Sequence, residues 1–259
     1  MLGSVKISFI RYGKKYLHLD NFMRALNYYL RKLLYLTHKI QYEIEWSVEN
    51  PEHFDHFIDL HFKWKRDRTS FPMERGVFGS LALHKSKGSG KTLDLCCGDG
   101  FYSYYYYSAM SQKITAIDFD PFAIKWAKKN YNKSNIKFIL ADIRTNFPQG
   151  QFDNIMWDAA IEHFTEVEIL NLMKNIKTAL GSFGILSGYT IKERDGQGKH
   201  LHQHEYEFHD MEDLARFLKP YFKNISIIET KYSSRTNFYF YASDNELPLE
   251  GTEILKVRG

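Results

Sequence analysis

The 259-residue chain is poor in cysteine, since it has only two, Cys96 and Cys97, and they are adjacent. Neighbouring cysteines cannot staple distant segments, so a disulfide-stabilised fold is excluded and a reducing, cytoplasmic setting is expected. Long uncharged apolar runs are also lacking, so no membrane-spanning helix is predicted. The first residues lack the basic start, apolar run and small-residue cleavage site of a secretory signal, so none is expected.

Charge is modest overall but unevenly distributed. The formal net charge is +4, whereas residues 1–48 alone hold eight basic and three acidic side chains. This basic segment is either an electropositive arm for an anionic substrate, nucleic acid or membrane surface, or a solvated helix face. Hydrophobic residues make up 44% of the chain and aromatic residues 16%, which is enough for a substantial buried core.

The first third of the chain has helical patterns. Apolar residues recur at three- and four-residue steps from Phe22 to Ile40, which predicts an amphipathic helix packed on the main domain. Further helices are predicted over residues 51–65 and 77–84, followed by a linker over residues 85–90. The predicted units are an N-terminal helical extension (1–90), a main domain (91–245) and a C-terminal tail (246–259).

After residue 90, short apolar strands alternate with helices. Strict alternation predicts right-handed crossovers and a parallel sheet covered on both faces. The last two strands follow each other directly, so they can add as an antiparallel hairpin at the sheet edge. The predicted fold is α/β: a doubly wound, mostly parallel, seven-stranded Rossmann-like sheet with an antiparallel edge strand and an N-terminal helical extension. The predicted strands are 92–95, 114–118, 136–140, 154–157, 184–190, 225–230 and 237–242. Helices are predicted to begin near residues 101, 121 and 165, with a shorter one after Asp142 and another over 210–218.

The loop after the first strand lacks a third glycine. Residues 98–103 read Gly-Asp-Gly-Phe-Tyr-Ser, whereas a dinucleotide site has Gly-x-Gly-x-x-Gly, and Asp99 would repel a pyrophosphate. A Gly-Lys-Ser/Thr phosphate loop is absent too. Gly98 and Gly100, which have no Cβ, allow a sharp turn and a close approach to a ligand. Asp118, at the end of the second strand, is placed for a ribose diol. Together they indicate a nucleoside site.

The ordered motifs of residues 91–242 resemble the class I S-adenosylmethionine-dependent methyltransferases. Residues 93–100, Leu-Asp-Leu-Cys-Cys-Gly-Asp-Gly, look like the family's first motif, and Ile117-Asp118 looks like its ribose-binding acid. Three further segments resemble later motifs: residues 141–143, 152–158 and 179–186. The resemblance implies S-adenosylmethionine as cofactor, S-adenosylhomocysteine as product and methyl transfer as the activity.

The resemblance also implies roles for particular residues. Asp94 would help to orient the methionine ammonium, Asp118 would bind the ribose, and Asp142 would bind the adenine amino group. The other implied cofactor contacts are Cys96, Gly98 and Gly100 around the methionine end, Phe119 and Ile143 against the adenine ring, and Asp158 and Ala159 beside the methionine and the sulfonium. From the residues alone, Asp94 and Asp142 could instead cap strand ends or form turns.

Histidines are frequent where the acceptor is expected. His163 follows the fourth strand, and its imidazole titrates near neutral pH, so it is the first candidate for a catalytic base. Its alternative is a capping or packing role at the next helix. His200, His202 and His204 alternate, which would place them on one face of an extended segment. We assign His204 as a second catalytic base and His200, His202 and Tyr206 to the acceptor pocket. A metal site and a polar surface loop are the alternatives, and no metal ligand is assigned.

Glu74 and Arg75 lie just before the main domain. We predict that they close over the cofactor or the acceptor, with an ordinary surface ion pair as the alternative. Enzymes that methylate amino groups of nucleic-acid bases typically have Asp/Asn-Pro-Pro-Tyr/Phe after the fourth strand. Residues 158–161 of this chain read Asp-Ala-Ala-Ile instead, so nucleic acid is a disfavoured partner.

The chain instead resembles the small-molecule branch of the family. The expected function is methyl transfer to a hydroxyl of a small polar, anionic acceptor, such as a nucleotide-linked sugar or phosphorylated metabolite of surface-polysaccharide synthesis. A homodimer is considered as its assembly. Two alternatives stay open: a non-catalytic methyltransferase-like subunit that supports a partner, and an RNA methyltransferase that uses the basic N-terminal arm.

Overall fold

The computed structural model describes most of the chain. The described residues are 18–45, 56, 65, 68–85, 90–195 and 199–248. Most of the predicted helix over residues 51–65, residues 86–89 of the predicted linker, and all of the tail after residue 248 lie outside them. No helix in the described ranges combines the length and apolar character needed to cross a membrane.

Two helices precede the sheet, α1 (Leu19–Glu45) and α2 (Phe71–Lys85). Helix α1 contains the predicted amphipathic segment, but Phe22 is 61% exposed, Leu30 50% and Leu33 59%. The prediction that this face packs on the main domain is therefore wrong for these side chains. A regular apolar spacing shows that a helix has an apolar face, but it cannot show which surface covers that face.

Seven strands form one sheet in the order β3-β2-β1-β4-β5-β7-β6. Neighbours from β3 to β5 are parallel, and β7 runs antiparallel to both β5 and β6. This confirms the predicted doubly wound, mostly parallel sheet with an antiparallel pair at one edge. Strand order reverses between β1 and β4, which is where such sheets bind ligands. The strands are β1 Lys91–Leu95, β2 Lys113–Asp118, β3 Ile136–Leu140, β4 Phe152–Asp158, β5 Leu180–Ile191, β6 Asn224–Lys231 and β7 Thr236–Ser243.

Helices cover the sheet: α3 Pro121–Asn130, α4 Glu166–Ala179 and α5 Met211–Leu218, with a π-helix at Ser103–Tyr107 and a 3-10 turn at Ile161–His163. Local sequence explains where α4 starts, because Thr165 and Glu168 form a reciprocal capping box. The predicted short helix after Asp142 is wrong. The N–H groups of Thr145 and Asn146 donate to the Asp142 carbonyl, at 3.2 and 2.8 Å, which closes a turn instead.

Helix α2 is held on the sheet domain by close packing. A Cβ at Gly76 would lie 2.2 Å from the Tyr106 ring, and one at Gly79 would lie 2.8 Å from the Tyr107 hydroxyl. These glycines therefore let α2 approach the π-helix closely. Tyr107 of the π-helix is fully buried at this contact, whereas Tyr105 is exposed. The packing also carries Arg75 of α2 to the carboxyl end of β4.

Candidate active site

A cavity of about 970 Å³ opens at the carboxyl ends of the parallel strands. The loops after β1, β2, β3 and β4 line it, together with the start of α2 and the histidine segment after β5. The predicted site residues that line it are Arg75, Cys96, Gly98, Asp118, Phe119, Asp142, Ile143, Ala159, His163, His200 and His204. One volume therefore joins most of the expected cofactor residues to most of the expected acceptor residues.

The β1 loop is built from left-handed backbone. Cys96, Gly98 and Gly100 have φ values of +58°, +54° and +82°. A Cβ at Gly98 would meet nothing within 4 Å, so the wall is open at this point. A Cβ at Gly100 would lie 2.5 Å from the Phe138 ring of β3. Gly98 thus leaves space for a ligand, whereas Gly100 lets the loop pack against the sheet.

Asp118 is held rigidly at the end of β2. The backbone N–H of Gly98 donates to its Oδ2 at 2.8 Å, and that of Asp120 donates to its Oδ1 at 2.9 Å. Burial raises the pKa of Asp118, and these hydrogen bonds oppose the rise. Each carboxylate oxygen has a second lone pair, so the group can still accept the hydroxyls of a ribose.

Asp142 lies after β3 with a partly exposed carboxylate. The Arg144 guanidinium donates to it through Nε, at 3.0 Å to Oδ1, and through Nη2, at 2.7 Å to Oδ2. These hydrogen bonds hold the pKa of Asp142 below its usual value. The backbone N–H of Arg144 also donates to Oδ1, at 2.9 Å, so the residue forms a turn as well as part of the cavity wall.

Asp94 sits behind the β1 loop and is not among the residues that line the cavity. It is buried, and the Ser103 hydroxyl donates to its Oδ2 at 2.5 Å. Burial raises the pKa of Asp94 to about 7. The hydrogen bond ties β1 to the helix that follows the loop. Its role toward the methionine ammonium stays a prediction.

Arg75 and Asp158 form a buried ion pair. Arg75 Nε lies 3.0 Å and Nη2 2.9 Å from Asp158 Oδ2, and the guanidinium lies over the rings of Tyr102 and Tyr189, 4.3 and 5.3 Å from their centroids. Burial raises the pKa of Asp158, and the charge of Arg75 opposes the rise. Arg75 lines the cavity and pairs with Asp158, not with Glu74; its predicted closure over the cofactor or the acceptor stays a prediction.

Glu74 faces a different part of the fold. It accepts hydrogen bonds from the Tyr239 hydroxyl at 2.9 Å, from the Thr230 hydroxyl at 3.1 Å and from the Tyr232 hydroxyl. It does not line the cavity. These bonds hold α2 against the β6–β7 hairpin, so the placement favours a positioning role for Glu74 over contact with a ligand.

The histidine segment after β5 does not form an extended strand. His200 Nδ1 lies 3.0 Å from Glu207 Oε2, and His204 Nδ1 bonds to Glu207 Oε1. His202 is exposed and does not line the cavity. The predicted single face of three imidazoles is therefore wrong, because the chain turns between Leu201 and His204 and brings both outer histidines onto one carboxylate. Burial lowers the pKa of His200 and of His204.

Tyr206 lies away from the cavity, where its hydroxyl donates to Asp213 Oδ1 at 2.8 Å and accepts from Arg216 at 2.7 Å. His163 does line the cavity, and its ring centroid lies 4.9 Å from that of His204. The two histidines are far apart in sequence, so no local pattern predicts that their rings are in contact.

Four further residues that the sequence did not single out shape the same wall: Glu162, Tyr189, Arg194 and Arg235. Glu162 is buried, and the Thr190 hydroxyl donates to its Oε2 at 3.0 Å. Its position beside His163 is the only signal in the sequence that could have pointed to it. Arg235, in the turn between β6 and β7, reaches the cavity because β7 runs antiparallel beside β5, which places that turn at the carboxyl end of β5.

Known proteins resemble this chain at the level of domain and fold. Residues 92–184 match the family model described as a methyltransferase domain. The N-methyltransferase NodS from Bradyrhizobium japonicum WM9, in complex with S-adenosyl-L-homocysteine, has a TM-score of 0.55 at 17% identity, over 82% of this chain and 99% of its own. The DhpI–SAH complex has a TM-score of 0.53 at 16% identity, over 70% of this chain and 91% of its own. PH0226 from Pyrococcus horikoshii OT3 has a TM-score of 0.51 at 16% identity, over 74% of this chain and 100% of its own. No curated protein matches the chain by sequence.

These comparisons identify a type of domain within the chain and a fold for most of it. The solved structures share the fold, and the family model marks a methyltransferase domain within it. The open wall at Gly98 and the anchored carboxylate of Asp118 leave space and hydrogen-bond acceptors at this end of the cavity.

Proposed function

We propose that the protein transfers the methyl group of S-adenosylmethionine to a hydroxyl of a small, polar, anionic acceptor. Nucleotide-linked sugars and phosphorylated metabolites of surface-polysaccharide synthesis are the candidate acceptors. The observation that carries the proposal is the continuity of the cavity from Asp118 and Asp142, at the nucleoside end, to His163 and His204. Its volume of about 970 Å³ is at the upper end of the range of roughly 300–1,000 Å³ for small-molecule sites.

The two imidazoles have the chemistry that a hydroxyl acceptor needs. S-adenosylmethionine, when bound, supplies an activated methyl group on a sulfonium, so the protein's main task is to position the acceptor in line. A hydroxyl must also lose its proton. His163 Nδ1 lies 3.3 Å from the Gln203 carbonyl, and His204 Nδ1 faces Glu207. Nδ1 therefore carries the proton in each neutral ring, which leaves Nε2 as the atom that can accept the acceptor's proton.

Arginines favour an anionic acceptor. Arg194 and Arg235 both line the cavity. Arg235 donates to Asn237 Oδ1 at 2.7 Å and to the Tyr189 hydroxyl, and these two partners are neutral. These partners therefore do not neutralise the positive charge of Arg235, which lies on the wall of the cavity. A guanidinium in such a setting is suited to a phosphate or carboxylate.

Cofactor binding can be tested before any acceptor is known. S-adenosylhomocysteine should raise the Tm of the wild-type protein by mass action, by an amount that grows with ligand concentration. Asp118→Ala should abolish the rise. Asp153→Ala, which removes a carboxylate at the opposite, amino-terminal end of the sheet, is the matched control and should retain it. A wild-type protein whose Tm does not respond at saturating ligand would refute the cofactor assignment.

The acceptor requires a screen with isotopically labelled methyl groups. Nucleotide sugars, phosphorylated metabolites, matched amines and RNA are offered separately, and products are detected by mass. Transfer to a hydroxyl of an anionic small molecule is the expected result, with His163→Gln and His204→Gln strongly reduced. Transfer to an amine would contradict the hydroxyl assignment. Cofactor binding with no transfer to any acceptor would favour the non-catalytic subunit. Salt-sensitive RNA binding that is lost on deletion of residues 1–48 would favour the RNA enzyme.

A further inference from the structure

We propose that Glu162, His163 and His204 form a binding site for a first-row divalent transition-metal cation, such as Zn²⁺ or Mn²⁺, on the wall of the cavity. One donor atom from each of the three residues lies within 4.8 Å of the other two. Donors that share one such cation at about 2.1 Å lie roughly 3 to 4 Å apart, so small side-chain rotations bring them onto it. Two imidazoles and one carboxylate are a donor set that these cations take.

Both histidines are oriented by the hydrogen bonds that metal-binding histidines characteristically make. His163 Nδ1 faces the Gln203 carbonyl at 3.3 Å, and His204 Nδ1 faces the Glu207 carboxylate. A ring whose Nδ1–H donates to a carbonyl or carboxylate presents an unprotonated Nε2 in a fixed direction, which is the form that binds a cation. Glu207 is itself held by the backbone N–H of His200 at 2.6 Å, so the supporting group is also anchored.

Glu162 supplies an independent argument. Its side chain is buried, and among the described residues no lysine or arginine forms an ion pair with it. The Thr190 hydroxyl, at 3.0 Å from Oε2, is a neutral partner that orients the carboxylate but does not balance its charge. A buried carboxylate without a cation is costly. A bound divalent cation would supply the missing positive charge at this point.

The three residues also line the cavity, so the site is not closed. Three protein ligands leave a coordination position open to the acceptor end, as in catalytic rather than structural metal sites. With a cation bound, the two Nε2 atoms are its ligands and cannot also accept a proton, so the cation would replace them as the group that activates the acceptor. It would hold the acceptor hydroxyl and lower its pKa, and the proton would pass to solvent before the oxygen attacks the methyl carbon. This role rests on the proposed function, whereas cation binding itself does not. It differs from the cluster of His200, His202 and His204 considered from sequence.

Cation binding is measured directly on the full chain, without cofactor or acceptor. The protein is dialysed against EDTA, returned to chelator-free buffer and titrated with Zn²⁺ by calorimetry. A parallel titration with Co²⁺ is followed by visible absorption. One cation per chain is expected, with Glu162→Gln and His204→Gln each weakening binding by at least about tenfold. Glu207→Gln should weaken binding by about 10- to 100-fold through loss of ring orientation. His202→Gln, an exposed histidine of the same segment, is the matched control and should bind like the wild type.

The outcomes separate this proposal from the proposed function. The metal site would be overturned if the wild type bound no stoichiometric cation. It would also be overturned if Glu162→Gln and His204→Gln bound the cation with the affinity of the wild type. If one of these variants does not fold, as judged by circular dichroism, His163→Gln serves in its place. Binding without methyl transfer to any acceptor would support the site and refute the proposed function. Transfer at full rate in excess chelator would refute the role of the cation in transfer.

Discussion

Replacing Asp94 by asparagine isolates the cost of keeping a carboxyl group buried behind the β1 loop. Burial raises the pKa of Asp94 from 3.8 to about 7, so the folded state holds a proton that the unfolded chain releases at lower pH. The stability that this proton contributes is fully present below pH 4 and is lost as the pH rises through 7. A difference of about three in pKa corresponds to about 4 kcal/mol.

The Asp94→Asn variant keeps an oxygen that can accept from Ser103 but cannot ionise. Without ligand, the free energy of unfolding of the variant minus that of the wild type should therefore increase from pH 4 to 7, by up to about 4 kcal/mol. Above pH 7 this difference should stay constant. Denaturant unfolding at constant m measures the difference at each pH. Asp153→Asn changes a half-buried carboxylate at the other end of the sheet, which accepts from the Lys91 N–H, and controls for the loss of one negative charge.

A difference between variant and wild type that stays constant from pH 4 to 8 would refute this reasoning. The same ionisation gives a second readout. If Asp94 orients the methionine ammonium, its ionised form is the one that binds, so the affinity of the wild type for S-adenosylhomocysteine should rise as the pH increases through 7. In Asp94→Asn this rise should disappear, because the side chain has no proton to lose.

Two further perturbations test the packing around the cavity. Gly100→Ala should cost about 1 to 3 kcal/mol because the new Cβ would lie 2.5 Å from the Phe138 ring, and this adds to about 1 to 2 kcal/mol for its left-handed backbone at a φ of +82°. Gly98→Ala, with open space at the Cβ position, should cost only about 1 to 2 kcal/mol for its left-handed backbone. It should also lower the affinity for S-adenosylhomocysteine. Equal losses of stability in the two variants would contradict this account. Arg75→Met should cost about 3 to 5 kcal/mol because it leaves Asp158 buried and unpaired. Adding Asp158→Asn should recover part of that loss in chemical denaturation, and no recovery would mean that the ion pair is not its source.

Much of the fold was predictable because the signals are local. Alternating apolar strands and helices predicted all seven strands, and Gly98 with Asp118 marked the end of the sheet where the cavity opens. Helix α1 shows the limit of this reasoning. Its apolar spacing predicted a helix correctly, but Phe22 and Leu33 lie exposed instead of packing on the sheet. The period of a pattern follows from the backbone, whereas its partner depends on the rest of the fold.

The sequence by itself therefore determined the seven strands and most of the helices, the sheet class and the loops that meet at one edge of the sheet. Only the tertiary structure decided which side chains meet there. Arg75 reaches Asp158 across 83 positions of sequence, and His163 reaches His204 because the chain turns after β5 instead of continuing as a strand. Such contacts depend on close packing between distant elements, as at the glycines of α2, and no local periodicity encodes them.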